Sequence, residues 1–373
     1  MGGESMTVRW FGGLFLLIAL WGVTSFATGG DWPVFRGDGF QKGVAACDMG
    51  GRLKVRWKVE GMESIEGTVA VQGKRLIVGG MDGSLRCLEV DNGKECWKIK
   101  TGMIKAPVCW DGDLAFAGDV DGKFIAVDAK SGAQKWSYEA KGEISGGATV
   151  AGNRILFGGQ DETIRCLDKT GKFLWEFKTE GPYYGSMAVA GGKTFAAGCD
   201  STLHVIDIEN GKEESKVDLG GQTGATVAVD GDQLFIGTMN REFLRVDWKK
   251  GEVAWRFMAE NRPQEFYSSA AISTDLVVVG SRDNRIHAFE RRTGKQAWSF
   301  LTKGKVDGSP VITKNGVVHV GSLDGKLYSL ELATGKQLGV MELDDGISAS
   351  PAIVDGKLFI GTQKGTLYCL ENE

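Results

Sequence analysis

The sequence is poor in the side chains that most enzyme chemistry needs. Three His occur in 373 residues, His204, His287 and His319, each within a strand-like stretch, so structural roles are expected rather than metal ligation. The seven Cys form no C-x-x-C pair and no haem attachment sequence, and no two are adjacent. A nucleophile elbow, a phosphate-binding glycine loop, a zinc spacing and a carboxylate pair fixed by spacing are all missing. Positive charge is not in excess: 44 Lys and Arg stand against 48 Asp and Glu, a net charge of −4, which argues against nucleic acid as a partner. Nor is there an apolar run long enough for a bilayer span, since the extended one, Trp10 to Val23, has 14 residues and is interrupted by Gly12-Gly13.

That run reads instead as part of a secretory signal over residues 1–27. Arg9 precedes it, and Ser25-Phe26-Ala27 places small residues where a signal peptidase cuts. A mature chain beginning near Thr28 is expected outside the cytosol, periplasmic or in the cell envelope, without membrane insertion once the signal is removed; an uncleaved anchor is the alternative. The first Cys is Cys47, too far along for a lipid anchor.

What the chain has in abundance is glycine, 56 residues, and it is periodic. A motif of short apolar strand, Gly, Asp-Gly turn, strand and Thr-Gly turn recurs eight times, its first glycines being Gly79, Gly118, Gly158, Gly198, Gly237, Gly280, Gly321 and Gly361. Successive spacings are 39, 40, 40, 39, 43, 41 and 40, the period of a four-stranded propeller blade. Asp-Gly pairs such as Asp82-Gly83 tolerate the positive φ of a tight hairpin. Four residues after the second turn a Trp usually stands: Trp97, Trp136, Trp175, Trp255 and Trp298. The eighth copy stops at Glu373 before its Trp strand, whereas Leu53 to Val59, carrying Trp57, precedes the first copy. The expected fold is therefore all-β: an eight-bladed propeller over 52–373 with a lead-in over 28–51, its ring shut by the N-terminal strand completing the C-terminal blade. Blades with Ser215 and Gly339 in place of the Trp are expected to be its weaker parts.

Up-and-down topology puts the loops between blades on one face with the turns joining second and third strands. Function in such rings sits on loops held by a rigid scaffold. Loop pairs such as Ile65-Glu66 and Ile104-Lys105 combine an apolar plug with a polar residue available at the channel mouth. The longest spacing falls at Met258 to Ser268. With Tyr183-Tyr184 it gathers aromatics and an Arg, so a binding rim of Tyr183, Tyr184, Arg262, Glu265, Tyr267 and Asp307 is expected. The turn residues Asp82, Asp121, Asp161, Asp200, Asp283 and Asp324 lack the oxygen spacing of a calcium loop and read as turn formers. Cys87, Cys166 and Cys369 share one repeat position and read as packing residues, while Cys87 and Cys96 flank a hairpin turn and leave a disulfide open.

The unit G-x-x-D-G-x-(L/F)-x-x-(L/V)-D-x-x-T-G-K-x-x-W resembles the PQQ-binding-like β-propeller repeat, and Phe124 to Trp136 is similar to that family's tryptophan-docking motif. The resemblance extends over about 31–373, including Asp31-Trp-Pro-Val-Phe-Arg-Gly. Its branches imply different functions. Quinoprotein alcohol dehydrogenases carry adjacent Cys and a Ca²⁺ beside a catalytic Asp, and this chain has neither adjacent Cys nor long inserted loops, so no catalytic residue carries over. The BamB-like branch matches in size and blade number, though its members are lipoproteins. The resemblance thus implies a monomeric, non-enzymatic scaffold without a cofactor, meeting a protein partner in the cell envelope, with a role in outer-membrane protein assembly. The alternatives are a PQQ-dependent oxidoreductase using PQQ with Ca²⁺, and a small-ligand or carbohydrate-binding ring.

Overall fold

A computed structural model describes Gly2, residues 30–260 and residues 263–373; the signal expected over 1–27 lies almost wholly outside these. Among the described residues thirty-two strands form eight antiparallel four-stranded sheets, each built from consecutive segments except the last. The first blade runs Ala70–Gln72, Arg75–Gly80, Ser84–Glu89 and Glu95–Lys100. In the eighth, Ala352–Val354, Lys357–Gly361 and Leu367–Asn372 are joined by Leu53–Val59 from the other end of the chain. Leu53 pairs with Asn372 and Val59 with Leu367, so the expected closure of the ring is present.

Each blade is sandwiched between two others, which is why its middle strands are apolar on both faces. In Leu276–Ser281 every residue but the first is buried. The glycine ending such a strand meets the apolar plug of the loop leaving its own blade: a Cβ at Gly321 would lie 2.2 Å from Ile347 Cγ2. Outermost, each Trp covers the turn glycine of the next blade. A Cβ on Gly132, whose φ is +76°, would stand 2.8 Å from the Trp97 ring. The six docked indoles, Trp57, Trp97, Trp136, Trp175, Trp255 and Trp298, donate Nε1–H to a carbonyl of that neighbouring blade at 2.8–3.0 Å.

At the two positions without a Trp something else fills the space. Beside Ser215, Trp248 of the fifth blade reaches back to the fourth, its ring edge-on to Phe195 at 5.1 Å, so the indole is supplied from the opposite side. At Gly339 the carbonyl of Gly51 passes so close that a Cβ would lie 2.0 Å from it. No receiving turn exists there, because the outer hairpin of the eighth blade is assembled from the two chain ends.

The turn aspartates are spent within their own blades. Asp82, Asp161, Asp200, Asp283 and Asp324 each accept from the residue four positions on, namely Arg86, Arg165, His204, His287 and Tyr328. His204 also meets Glu213 of the outer strand at 2.5 Å, clamping the blade that lacks its Trp. Burial alone would lower His204, but its hydrogen bonds to Asp200 and Glu213 outweigh that and raise its pKa above the ordinary 6.5. A raised folded value means stabilisation that is complete below the unfolded value and lost as pH rises through the folded one. The melting temperature of the native chain is therefore expected to fall relative to His204→Gln as the pH rises above about 6.5, by about 1–2 °C for a ~1 kcal/mol clamp in a ring of this size. Parallel pH-dependent melting curves for the two chains would refute the clamp.

Two devices line the axis. At one level an N–H of five inner segments donates to a hydroxyl of the next blade: Gly147 to Ser186, Ser186 to Thr226, Thr226 to Ser269, Ser269 to Ser309 and Ser309 to Ser350, at 2.8–3.0 Å. Below this girdle the N-terminal arm, residues 30–52, winds round the channel. Its carbonyls accept the channel-facing amides of Val71, Trp110, Val189, Val229, Ile272 and Ile312 at 2.7–3.0 Å, which would otherwise be bare sheet edges. Gln41 reaches Thr149 in the third blade and Gly50 reaches Asn372 in the eighth, so the arm touches all eight.

Candidate functional site at the mouth of the ring

The face opposite the arm carries the loops between blades. In every blade the turn after the second strand donates an N–H to the preceding inter-blade loop at 2.7–3.1 Å, as from Gln160 to Glu143 and from Arg282 to Glu265. These bonds fix the loops and leave one ring of side chains facing the mouth.

The structure sorts the six expected rim residues. Tyr183 is 1% exposed and donates its hydroxyl to the Ser186 carbonyl at 3.0 Å. It is a correction: Tyr183 occupies the plug position that Ile104 or Ile347 fills elsewhere, packs against Gly158, and offers nothing to a partner. Tyr184, Glu265, Tyr267 and Asp307 are half-buried at the surface of this face. Arg262 lies outside the described residues.

The group that joins them is Arg282. Its guanidinium lies 3.7 Å from the centre of the Tyr267 ring and donates Nε–H and Nη2–H to the two oxygens of Asp307, both at 2.9 Å. The Asp307 hydrogen bonds raise the Arg282 pKa, with Tyr267 and Glu265 adding to the effect. Tyr267 and Met239 both lean over Gly224, where a Cβ would be within 3.3 Å of each. Further round, Tyr184 has its pKa raised by burial first and then by Cys199, Glu143 and Tyr267, whose ionised forms repel the phenolate. Glu143 accepts from Ser145 at 3.0 Å and pairs with Lys105 at 3.5 Å, and Gln160 donates to Ser145 at 3.0 Å. Met239, Arg282 and Gly224 were not expected. A signal for Arg282 does exist: in the column Met81, Val120, Gln160, Cys199, Met239 it is the position that turns cationic.

PQQ with Ca²⁺ needs an aromatic floor, a free cation for the quinone carboxylates and a divalent-ion site. The face of Tyr267 is covered by Arg282, whose donors are committed to Asp307. Among the described residues no three His, Cys, Asp or Glu side chains converge on a metal position. Cys87 and Cys96 are both free thiols, and burial pushes Cys87 up to about 12, aided by Cys96 beside it. A second concavity of about 720 Å³ opens on the arm face, where Asp230 is bridged by Lys42 at 2.5 Å and Arg291 at 2.6 Å.

The family described as outer membrane protein assembly factor BamB matches residues 42–144, 139–214 and 199–373. Among curated proteins, the BamB of Burkholderia pseudomallei is 29% identical over 109 residues, 28% of each chain. A lanthanide-dependent methanol dehydrogenase of Methylacidiphilum fumariolicum is 35% identical over 82 residues, 21% of this chain and 12% of its own. This chain thus matches little more than a quarter of the first of these relatives' length. Of solved structures, BamB from Moraxella catarrhalis superposes with a TM-score of 0.73 at 20% identity, over 86% of this chain and 98% of its own. The quinohemoprotein alcohol dehydrogenase of Comamonas testosteroni gives 0.79 at 14% identity, over 92% and 81%. At such identities the superpositions speak for the fold. With the family pattern running from residue 42 to the C-terminus through every blade, the chain belongs to the BamB family of PQQ-like β-propellers.

Proposed function

We propose that this chain is a non-enzymatic, exported scaffold that holds a protein partner at its open mouth in the cell envelope, a reading supported by relatives named as outer membrane protein assembly factors. The observation that carries this reading is the Tyr267–Arg282–Asp307 cluster with Met239 and Tyr184 beside it. Tyr and Arg are enriched at the energetic centres of interfaces, and a cation held flat on an aromatic ring is preorganised to meet a partner's backbone or carboxylates. Met239 adds a deformable apolar contact. Half-burial matters here, because the cluster is rigid without being closed to a second surface.

The test is site-specific photo-cross-linking from Tyr184 and Met239 in the native envelope, with a matched probe at Lys74 on the opposite face. One envelope protein is expected from both mouth positions and not from Lys74. Arg282→Ala is expected to weaken that complex at least about tenfold, a hot-spot loss of ~1.4 kcal/mol or more, with melting unchanged. The same partner captured from Lys74, or undiminished in Arg282→Ala, would remove the mouth from consideration.

A further inference from the structure

The axis of the ring holds a charged group without a counterion. Arg36 of the arm is 1% exposed, and only its Nη2 is engaged, donating to the carbonyls of Ala270 at 3.0 Å and Pro310 at 2.5 Å. Its Nε–H and Nη1–H have no partner. The side chain is also locked in place: Gly43 packs so closely that a Cβ there would lie 1.8 Å from Nη2. Asp38, two residues on, accepts from the Lys42 amide and acts on Arg36 only through space. Burial lowers the Arg36 pKa to about 9 against that weak attraction. An ionised guanidinium left with bare donors inside a protein is costly, and the usual remedy is an anion.

The wall around it points the same way. The carbonyls that Arg36 touches directly follow Ser269 and Ser309 of the hydroxyl girdle. Ser186, Thr226, Ser269, Ser309 and Ser350 all use the hydroxyl oxygen as an acceptor for a neighbouring amide. Among the described residues none of these five passes its own proton to a protein acceptor, and every one is buried. A hydroxyl that accepts still has a proton to donate. Donors therefore crowd this level of the channel, and among the unpartnered buried side-chain atoms of the described residues a single one, Gln41 Oε1, can only accept.

We infer that the axis binds a small monovalent anion, a halide or a formate-sized carboxylate, held by Nε–H and Nη1–H of Arg36 with girdle hydroxyls completing its shell. The site neutralises the arm's buried charge and so couples anion binding to seating of the arm. It is independent of the partner at the mouth, which lies on the other face.

Crystals of the full chain grown with bromide as the sole small anion test this directly by anomalous scattering. One bromide is expected on the axis within hydrogen-bonding distance of Arg36 Nε or Nη1, and crystals grown with formate distinguish a carboxylate guest from a halide. In solution, each roughly tenfold rise in bromide above its dissociation constant is expected to raise the melting temperature of the native chain, and to leave Arg36→Met unmoved. Should Arg36→Met fail to fold, the diffraction result decides alone. Water at that position in both crystals, or bromide only on the outer surface, would overturn the assignment.

Discussion

A chain beginning at Glu60 is expected to yield no monomeric, cooperatively melting ring. It lacks the closing strand Leu53–Val59, so Leu367–Asn372 becomes a bare edge, and Trp57 no longer covers Gly93 or faces Phe359 at 5.9 Å. Loss of a docked Trp alone costs about 3–5 kcal/mol. The strand's ladder and the arm's carbonyls go with it, and the sum reaches the ~5–15 kcal/mol that a folded domain has in total. Exposed strand edges then recruit other chains. A chain beginning at Gly51 keeps the closing strand and loses only most of the arm, and is expected to fold with a lowered melting temperature. Size-exclusion chromatography and thermal melts separate the cases: a monomeric peak from the Glu60 chain, melting like the full chain, would show that closure is dispensable.

Gly146→Ala is expected to cost about 3 kcal/mol or more, lowering the melting temperature by about 4 °C or more in a ring of this size. Gly146 lies in the loop entering the third blade, where a Cβ would stand 1.9 Å from the carbonyl oxygen of Gly185, at the entry to the fourth, and 2.5 Å from its carbon. Backbone meets backbone there, so no rotamer change relieves the clash and the blades must part. Gly152→Ala is the control, with a φ of +62° but nothing within 4 Å of the added atom. It is expected to lose only the ~1 kcal/mol of left-handed strain. Equal melting temperatures for the two variants would mean that close approach at the axis does not govern how blades pack.

The repeat was legible because propeller physics writes itself into every copy. A strand buried on both faces, a glycine under a plug and a Trp over a turn recur at the same offsets, so blade number, closure and the docking of six indoles followed from spacing. Five of the six turn aspartates, all but Asp121, have a similarly local structural role: their partners lie four residues on. Features that break the repeat were harder. Tyr183 and Tyr184 look alike in sequence, and only register shows that the first is the plug. Trp248 substitutes for an indole missing from another blade, and the reversed direction leaves no trace in either repeat. The arm has no period at all, so neither its path round the channel nor the burial of Arg36 could be read from it. Arg282 fell between these extremes, visible only by comparing one turn position across the copies.

The arm's contacts set an order of events. Residues 30–59 emerge from synthesis before every blade, yet the pairing of Leu53 with Asn372 and of Gly50 with the same residue waits for the strand Leu367–Asn372. Every hairpin between them is local and can form as it appears, so blades stack in sequence while the N-terminal strand stays unpaired. Growth of that stack carries the two ends back toward each other, replacing the search of a free loop with the arc of a nearly complete circle. The last event in folding is then the zipping of the chain's oldest strand to its youngest. Until that moment the molecule is an open, sticky crescent whose lifetime is the interval in which a chaperone has something to hold.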